Sequence, residues 1–437
     1  MSVSKKTNEQ PATTTSPESR TPQRAPQISR WIISGILVLA LLLFFVIAGD
    51  DWFTIVNNTL IAAIAALALN VLSGYTGQVS LGIAFFMAIG AYTAALLGGN
   101  HPTGPLDPQG FALPWIIWLP AAGLIAALVG ALVGPTALRL KGFYLGIVSL
   151  ALVFIGHYIF INLHAVTGGS AGRTFPVPAI GSAAFDQQNA LLGVALTPGQ
   201  QYFLLILPIL VLAALFVGNV MRSRAGRAFR AVRDHEIGAS MMGVNIFEVK
   251  MGAFILSAFL AGIAGALFAS YNSYVIPDYW DLTLSIQFVA AIIIGGTASI
   301  WGSILGAAFV FGLPQVIDHF SLLPPPSGNG GMSSGDLNTL LYGVLIILFL
   351  LFEPGGLIGL VSRFQRRTRR PRLRRHPRRR RRQPSLGNHV HPLSQGLRQW
   401  YEPALLRHRL HHRRTQRNAR VGLLPRRPRH LPLDSLA

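Results

Sequence analysis

Ten stretches of the chain, at about 32–49, 54–72, 79–98, 113–134, 143–163, 201–219, 251–271, 284–298, 301–320 and 338–356, are apolar and carry few or no charges. A run of about 18 such residues is long enough, as a helix, to cross a hydrocarbon core of roughly 30 Å. Lipid offers the backbone no hydrogen-bond partner, so segments of this kind must satisfy their own polar groups, which helices do. The expected fold is therefore an all-α integral membrane protein, a polytopic bundle of about ten spans. The eighth run is short for a crossing helix. Charged residues make up only 12% of the chain, against about 25% in an ordinary soluble domain. With no cysteine, disulfides and thiolate metal sites are excluded.

The loops fix an orientation, because cytoplasmic loops collect Lys and Arg. With the N-terminus inside, the inside segments are 1–31, "GYTGQ", 139–141, 222–250, the turn "GGTAS" and the C-terminal segment; before the tail they hold thirteen basic residues. The outside segments hold one, Arg173. Ten spans then place both termini in the cytoplasm. Residues 1–30, rich in Ser, Thr, Pro and Gln, read as a disordered tail. The apolar run after them lacks a small-residue cleavage pattern and reads as a retained first helix. The long outside loop 164–200 carries "TGGSAGRTFPVP", whose Gly and Pro argue against regular helix.

One cytoplasmic loop, 221–250, is charged where its neighbours are greasy. Its core reads "GRAFRAVRDHEIGASMMGV". As a single helix it would place Glu236, Ala239, Ser240 and Gly243 on one face and pair Arg230 with Asp234 four residues on. Small residues at the centre of a face let another backbone approach closely. A positively charged loop that merely obeys topology is the plainer alternative.

The spacing Glu236-x-x-Ala239-x-x-x-Gly243 is similar to the cytoplasmic loop that ABC importer permeases insert into a cleft of their ATPase. Around it stand "LNVLSGYTGQVSLGIAFFMAIGAYTAALL", "LRLKGFYLGIVSLALVF", "TGGSAG", "GRAFRAVRDHEIGASMMGVNIFEVKMGAFILSAFLAGIAGALFA", "IIIGGTASIWGSILGA" and "EPGGLIGL". In that order these blocks resemble the permease subunit of the branched-chain amino acid (leucine, isoleucine, valine) ABC uptake family, over about 30–360. The resemblance implies a transport subunit rather than an enzyme, in a bacterial cytoplasmic membrane. It implies that ATP and Mg act on separate ATPase subunits, that a second related permease and an extracytoplasmic binding protein are partners, and that a small amino acid is the cargo. It assigns the ATPase-coupling role to Gly226, Arg227, Arg230, Arg233, Asp234, Glu236, Ala239 and Gly243. The residues agree on the motor: a phosphate loop needs G-x-x-x-x-G-K-[ST], and none of Lys5, Lys6, Lys141 and Lys250 lies in that context.

The break "GYTGQVSLG" separates two apolar runs with glycines and polar residues. Gly74, Gly77, Gln78 and Ser80 are candidates for lining the translocation path or forming a hinge; a tight turn between antiparallel helices is the alternative. Polar side chains inside spans include Asn57, Asn58, Asn70, His157, Asn162 and Gln287. Of these, His157 and Gln287 join the path candidates, while interhelical hydrogen bonding is the competing role. The body shows no chain of carboxylates of the kind that ion-driven transport uses, and an apolar path suits an apolar side chain. Small residues recur in "GALVG", "AGIAGA" and "GSILG", at a spacing that serves helix packing, including pairing with a second permease.

The formal charge of +21 is local. Residues 1–362 hold 14 basic and 14 acidic residues, whereas 363–437 hold 23 Arg and no Lys, with Glu402 and Asp434 the only acids there. Such a run can bind anionic headgroups or RNA phosphates. Neither explains the lack of lysine, and 361–437 is expected to be a frame-shifted or readthrough end. Two other functions stay open on sequence. The same scaffold could import urea, short amides or aromatic acids, or the chain could be a membrane scaffold or nucleic-acid tether using its tail.

Overall fold

The computed structural model describes residues 45, 48–99, 110–138, 143–175, 178–180, 183–185, 189–191 and 194–320, with parts of 340–359. The chain divides into two units, Met1–Arg370 and Pro371–Ala437. The tail 361–437, the N-terminal segment 1–30 and nearly all of the first and tenth expected spans lie outside the described residues.

The other eight spans each coincide with helix. They are α1 (Asp50–Leu69), α2 (Ile83–Gly98), α3 (Trp115–Leu138), α4 (Phe143–Asn162), α5 (Pro198–Arg222), α8 (Ile246–Asn272), α9 (Leu282–Gly295), and α10 (Ile300–Ala307), which runs through a π-helical stretch into α11 (Leu313–His319). Between α5 and α8 lie α6 (Arg224–Asp234) and α7 (Glu236–Met241). Among the described residues six helical segments are long and apolar enough to cross a membrane, while α2 and α9 are shorter apolar helices. This is an all-α membrane bundle. Several boundaries shift from expectation by up to five residues, and two of the shifts have a local cause. Helix α1 starts at Asp50, so Asp50 and Asp51 occupy its first turn, where carboxylates complement the positive end of the helix dipole. Helix α2 starts at Ile83 because the residues before it are not helical.

Helix α8 packs against α1, α2 and α3. Its small residues make this possible. A Cβ on Gly90 would run into the backbone of Gly262, and one on Gly262 would meet Ala122 and Ala126. Likewise Gly130 faces Ala258, while Gly302 and Gly306 face the backbone of α9. The small-residue faces that sequence left open to a partner permease are thus covered within this chain, where close backbone approach supplies packing that hydrophobicity alone does not give in lipid. The opposite faces of α3, α4 and α5 present Leu128, Tyr158 and Leu212 outward, as a lipid-facing surface does.

The 164–200 loop is not wholly irregular. A helical turn, His164–Thr167, leads into Gly168, Gly169 and Gly172, all with positive φ. Arg173–Thr174 then pairs antiparallel with Tyr274–Val275, and two short hairpins follow, Ala179–Ile180 with Ala183–Ala184 and Asn189–Leu191 with Val194–Leu196. Arg173 is buried and donates from Nη1 to the Val166 carbonyl at 2.7 Å. Burial pulls its guanidinium below the usual arginine value. Arg173, the basic residue expected in the outside segments, is therefore a structural tie of its loop.

Candidate functional site

The break after α1 is built from its polar groups upward. Helix α1 widens into a π-helical stretch, Asn70–Tyr75. There the fully buried Asn70 donates from Nδ2 to the Ser299 carbonyl (2.9 Å) and to Ser303 Oγ (2.7 Å), and accepts at Oδ1 from the Ala298 amide (2.9 Å). One amide side chain thereby ties α1 to the turn before α10. A Cβ on Gly74 would strike Asn70 and the Ala298 amide, so Gly74 makes room for this knot.

From Gly77, which has φ of +71°, the chain runs without helix to α2. Several of its polar groups find partners in the protein, although the buried Gln78 Oε1 has none; such partners are what non-helical backbone needs away from water. The Gln78 amide donates to the Leu72 carbonyl (3.3 Å), and the Leu81 amide to Ser149 Oγ on α4 (2.8 Å). Ser80 Oγ accepts from the Gly82 amide (3.3 Å) at the head of α2. Gln78 Nε2 donates to Thr76 Oγ1 (2.9 Å) and to the Lys250 carbonyl (3.3 Å).

The charged insert lies against this break. It is two helices rather than the continuous one that the sequence suggested, because His235 is extended, with φ −153° and ψ 97°. On α6, Gly226, Phe229 and Val232 are buried at intervals of three, and Arg227, Arg230 and Arg233 are exposed. A Cβ on Gly226 would meet the Met221 backbone, so this glycine lets α6 fold tightly against the end of α5. Arg230 does not take up the expected pairing with Asp234; Nε donates to the Gly226 carbonyl and Nη2 to the Met221 carbonyl, each at 3.2 Å. A neighbouring carbonyl pair at a helix junction outcompetes an exposed carboxylate, whose attraction water screens.

Helix α7 ends at Met241, and Gly243, with φ of +82°, closes it. The Val244 amide donates to the Ala239 carbonyl (3.1 Å) and the Gly243 amide to the Ser240 carbonyl (3.0 Å), a Schellman turn. Gly243 therefore does not share a helical face with Glu236, Ala239 and Ser240. Its requirement is conformational, since a Cβ there would meet nothing within 4 Å. Ala239 is buried, and Glu236 Oε1 receives Lys250 Nζ at 2.8 Å. Beside Ser240, α7 and its cap show large apolar side chains to solvent: Ile237 is 74% exposed, Met241 84% and Met242 88%. None of the three was singled out by sequence, although their i, i+4, i+5 spacing within a charged loop was the available signal.

The structure thus gathers Gly74, Gly77, Gln78 and Ser80 with the insert at one end of the bundle. His157 lies elsewhere. It is eight residues along α4 from Ser149, about 12 Å of helix rise, and its Nε2 stands 3.7 Å from Asp278 Oδ1. Gln287 is half-buried on α9, two residues from Ser285, whose Oγ accepts from the Ala84 amide (3.3 Å). The six path candidates do not form one cluster. Of the other intramembrane amides, Asn57 donates to the Gly199 carbonyl (2.9 Å), Asn58 to Gln315 Oε1 (3.5 Å) and Asn162 to the Tyr158 carbonyl (2.8 Å), the roles of structural hydrogen bonds.

Residues 52–350 match the family model described as "Branched-chain amino acid transport system / permease component". The chain is 32% identical over 341 residues to the high-affinity branched-chain amino acid transport system permease protein LivM of Salmonella typhimurium, covering 75% of this chain and 74% of that one. It is 33% identical over 339 residues to LivM of Escherichia coli, with the same coverage. Over a shorter stretch, 165 residues or 36% of this chain and 44% of the other, it is 32% identical to the autoinducer 2 import system permease protein LsrC of Klebsiella pneumoniae. No solved structure matches. A bundle of apolar helices, a polar break between α1 and α2 and these relatives lead to one statement: the chain belongs to the family of branched-chain amino acid transport permease components, and is a membrane permease subunit rather than an enzyme.

Proposed function

We propose that this subunit carries branched-chain amino acids across a bacterial inner membrane, with ATP and Mg held on separate ATPase subunits and cargo delivered by an extracytoplasmic binding protein. A second, related permease completes the path. The chain crosses ten times with both termini in the cytoplasm, and the insert 221–250 faces the ATPase. The observation that carries the reading is the bare apolar tip of α7, where Ile237, Met241 and Met242 stand exposed beside the arginines of α6. Exposed apolar side chains rimmed by charge mark a protein contact surface, and methionine adapts to the partner it meets. The arginines serve the insert's position on the positive side of the membrane.

Cargo and orientation are tested separately. Cells carrying the chain with its partner subunits should take up labelled leucine, and unlabelled isoleucine and valine should compete while urea and aromatic acids do not. Because relatives of this scaffold include an autoinducer 2 permease, competition by autoinducer 2 alone would reassign the cargo. A reporter active only outside the cytoplasm should signal when fused near residue 278 and stay silent near 235; signal at 235 would overturn the orientation.

A further inference from the structure

We propose that Lys250 is a positioning residue for transport, a clasp that fixes the coupling insert to the break between α1 and α2. This rests on the insert being the ATPase contact. Lys250 stands in the first turns of α8 and makes two long-range connections from one residue. Its Nζ meets Glu236 Oε1 of α7 at 2.8 Å, and its backbone carbonyl accepts from Gln78 Nε2 at 3.3 Å. A basic residue kept only for topology would sit in water, as Arg222 does. The Lys250 side chain is 16% exposed and that of Glu236 41%, so the pair is sheltered on the lysine side while its carboxylate stays open to solvent screening.

A second contact joins the same two segments. A Cβ on Gly77 would lie 3.4 Å from Arg233 Cγ, in ordinary van der Waals contact, so the end of α6 lies directly over this turn, whose positive φ favours glycine. Break and insert are therefore held together at Gly77–Arg233 and at Gln78–Lys250–Glu236. From Lys250, α8 runs on to Asn272 against α1, α2 and α3. A displacement of α7 is thus delivered through the ion pair to the foot of the most widely packed helix, and through the Lys250 carbonyl to Gln78. The break acts as a transmission element of the coupling site, and Lys250 sets the geometry in which the two move as one.

The test uses the whole transporter in cells, with ATPase co-purification, ATP hydrolysis and labelled leucine uptake measured on the same preparations. Lys250→Gln should keep at least half of ATPase co-purification, and both Lys250→Gln and Glu236→Lys should lose at least tenfold in uptake per ATP hydrolysed. The swap Glu236→Lys with Lys250→Glu restores the pair with its charges exchanged and should return uptake per ATP to within threefold of the parent. Should either single variant fail to reach the membrane, the swap decides alone. Uptake per ATP within twofold of the parent in Lys250→Gln, or a swap no better than the worse single variant, would overturn the clasp. Failure of the coupling reading looks different: the tip variant Met241→Glu with Met242→Glu would then co-purify the ATPase normally, whatever the clasp variants do.

Discussion

The seam between α8 and its neighbours and the insert that leads into α8 draw on the same residue types, small and apolar, and use them in opposite ways. In the seam, Gly90, Gly262 and Gly265 bring backbones together until no room is left for a methyl group, and Ala258, Leu260, Ala261 and Ala264 are buried. In the insert, Gly243 has open space where a Cβ would go, and Ile237, Met241 and Met242 project away from the chain. Polar groups divide the same way: Asn70 is held at both ends of its amide within the bundle, whereas Arg224, Arg227 and Asp234 are exposed. The seam is a finished interface and the insert an unfinished one. Under the proposed function, the ATPase subunit is the missing half.

The contrast is most easily broken in the seam. Gly90→Val would force α2 away from α8, and because backbone rather than a pliable side chain is in the way, the cost should exceed the 1–3 kcal/mol usual for overpacking; the expected outcome is little or no chain in the membrane by quantitative blotting. Asn70→Leu comes next. It leaves the Ala298 amide without its partner in the protein interior, for which a loss of about 2 kcal/mol is expected, read as a lower melting temperature of the detergent-solubilised chain. The tip should show the reverse pattern. Met241→Glu with Met242→Glu should leave melting unchanged, as exposed substitutions usually shift stability by less than about 0.5 kcal/mol, while ATPase co-purification falls at least tenfold. Gly243→Ala, strained at positive φ, should cost about 1 kcal/mol in the α7 turn and lower uptake a few fold. The smallest effect belongs to Arg227→Lys, which keeps the charge; uptake within twofold of the parent is expected.

Much of the bundle was legible because its signal is one-dimensional. Eight apolar runs, from 54–72 to 301–320, map onto helices within a few residues, and the shortness of 284–298 reappears as the 14 residues of α9. What resisted reading was every feature set by contacts distant in sequence. Small residues in "AGIAGA" looked equally fit for a partner permease or for α2 and α3, and only the fold assigns Gly262 to Ala122 and Ala126. Gln78 looked like a path residue because it is polar and flanked by glycines; its link to Lys250 spans 172 positions. Helical periodicity placed Gly243 on a face with Glu236, but period cannot reveal that a glycine four residues past an alanine is the left-handed closure of the helix. The same blindness hid Ile237, Met241 and Met242, since apolar residues in a chain this greasy do not stand out until their burial is known.

The absence of native cysteine makes the central claim directly measurable by site-specific crosslinking. A single Met241→Cys substitution, in cells that express the full transporter, should form a crosslink to the ATPase subunit with a short bifunctional thiol-reactive reagent, and a single Tyr279→Cys substitution in the Pro277–Trp280 turn should not. Failure of Met241→Cys to crosslink to the ATPase, or its labelling in intact cells by a membrane-impermeant maleimide, would contradict the assignment of the insert as the ATPase contact.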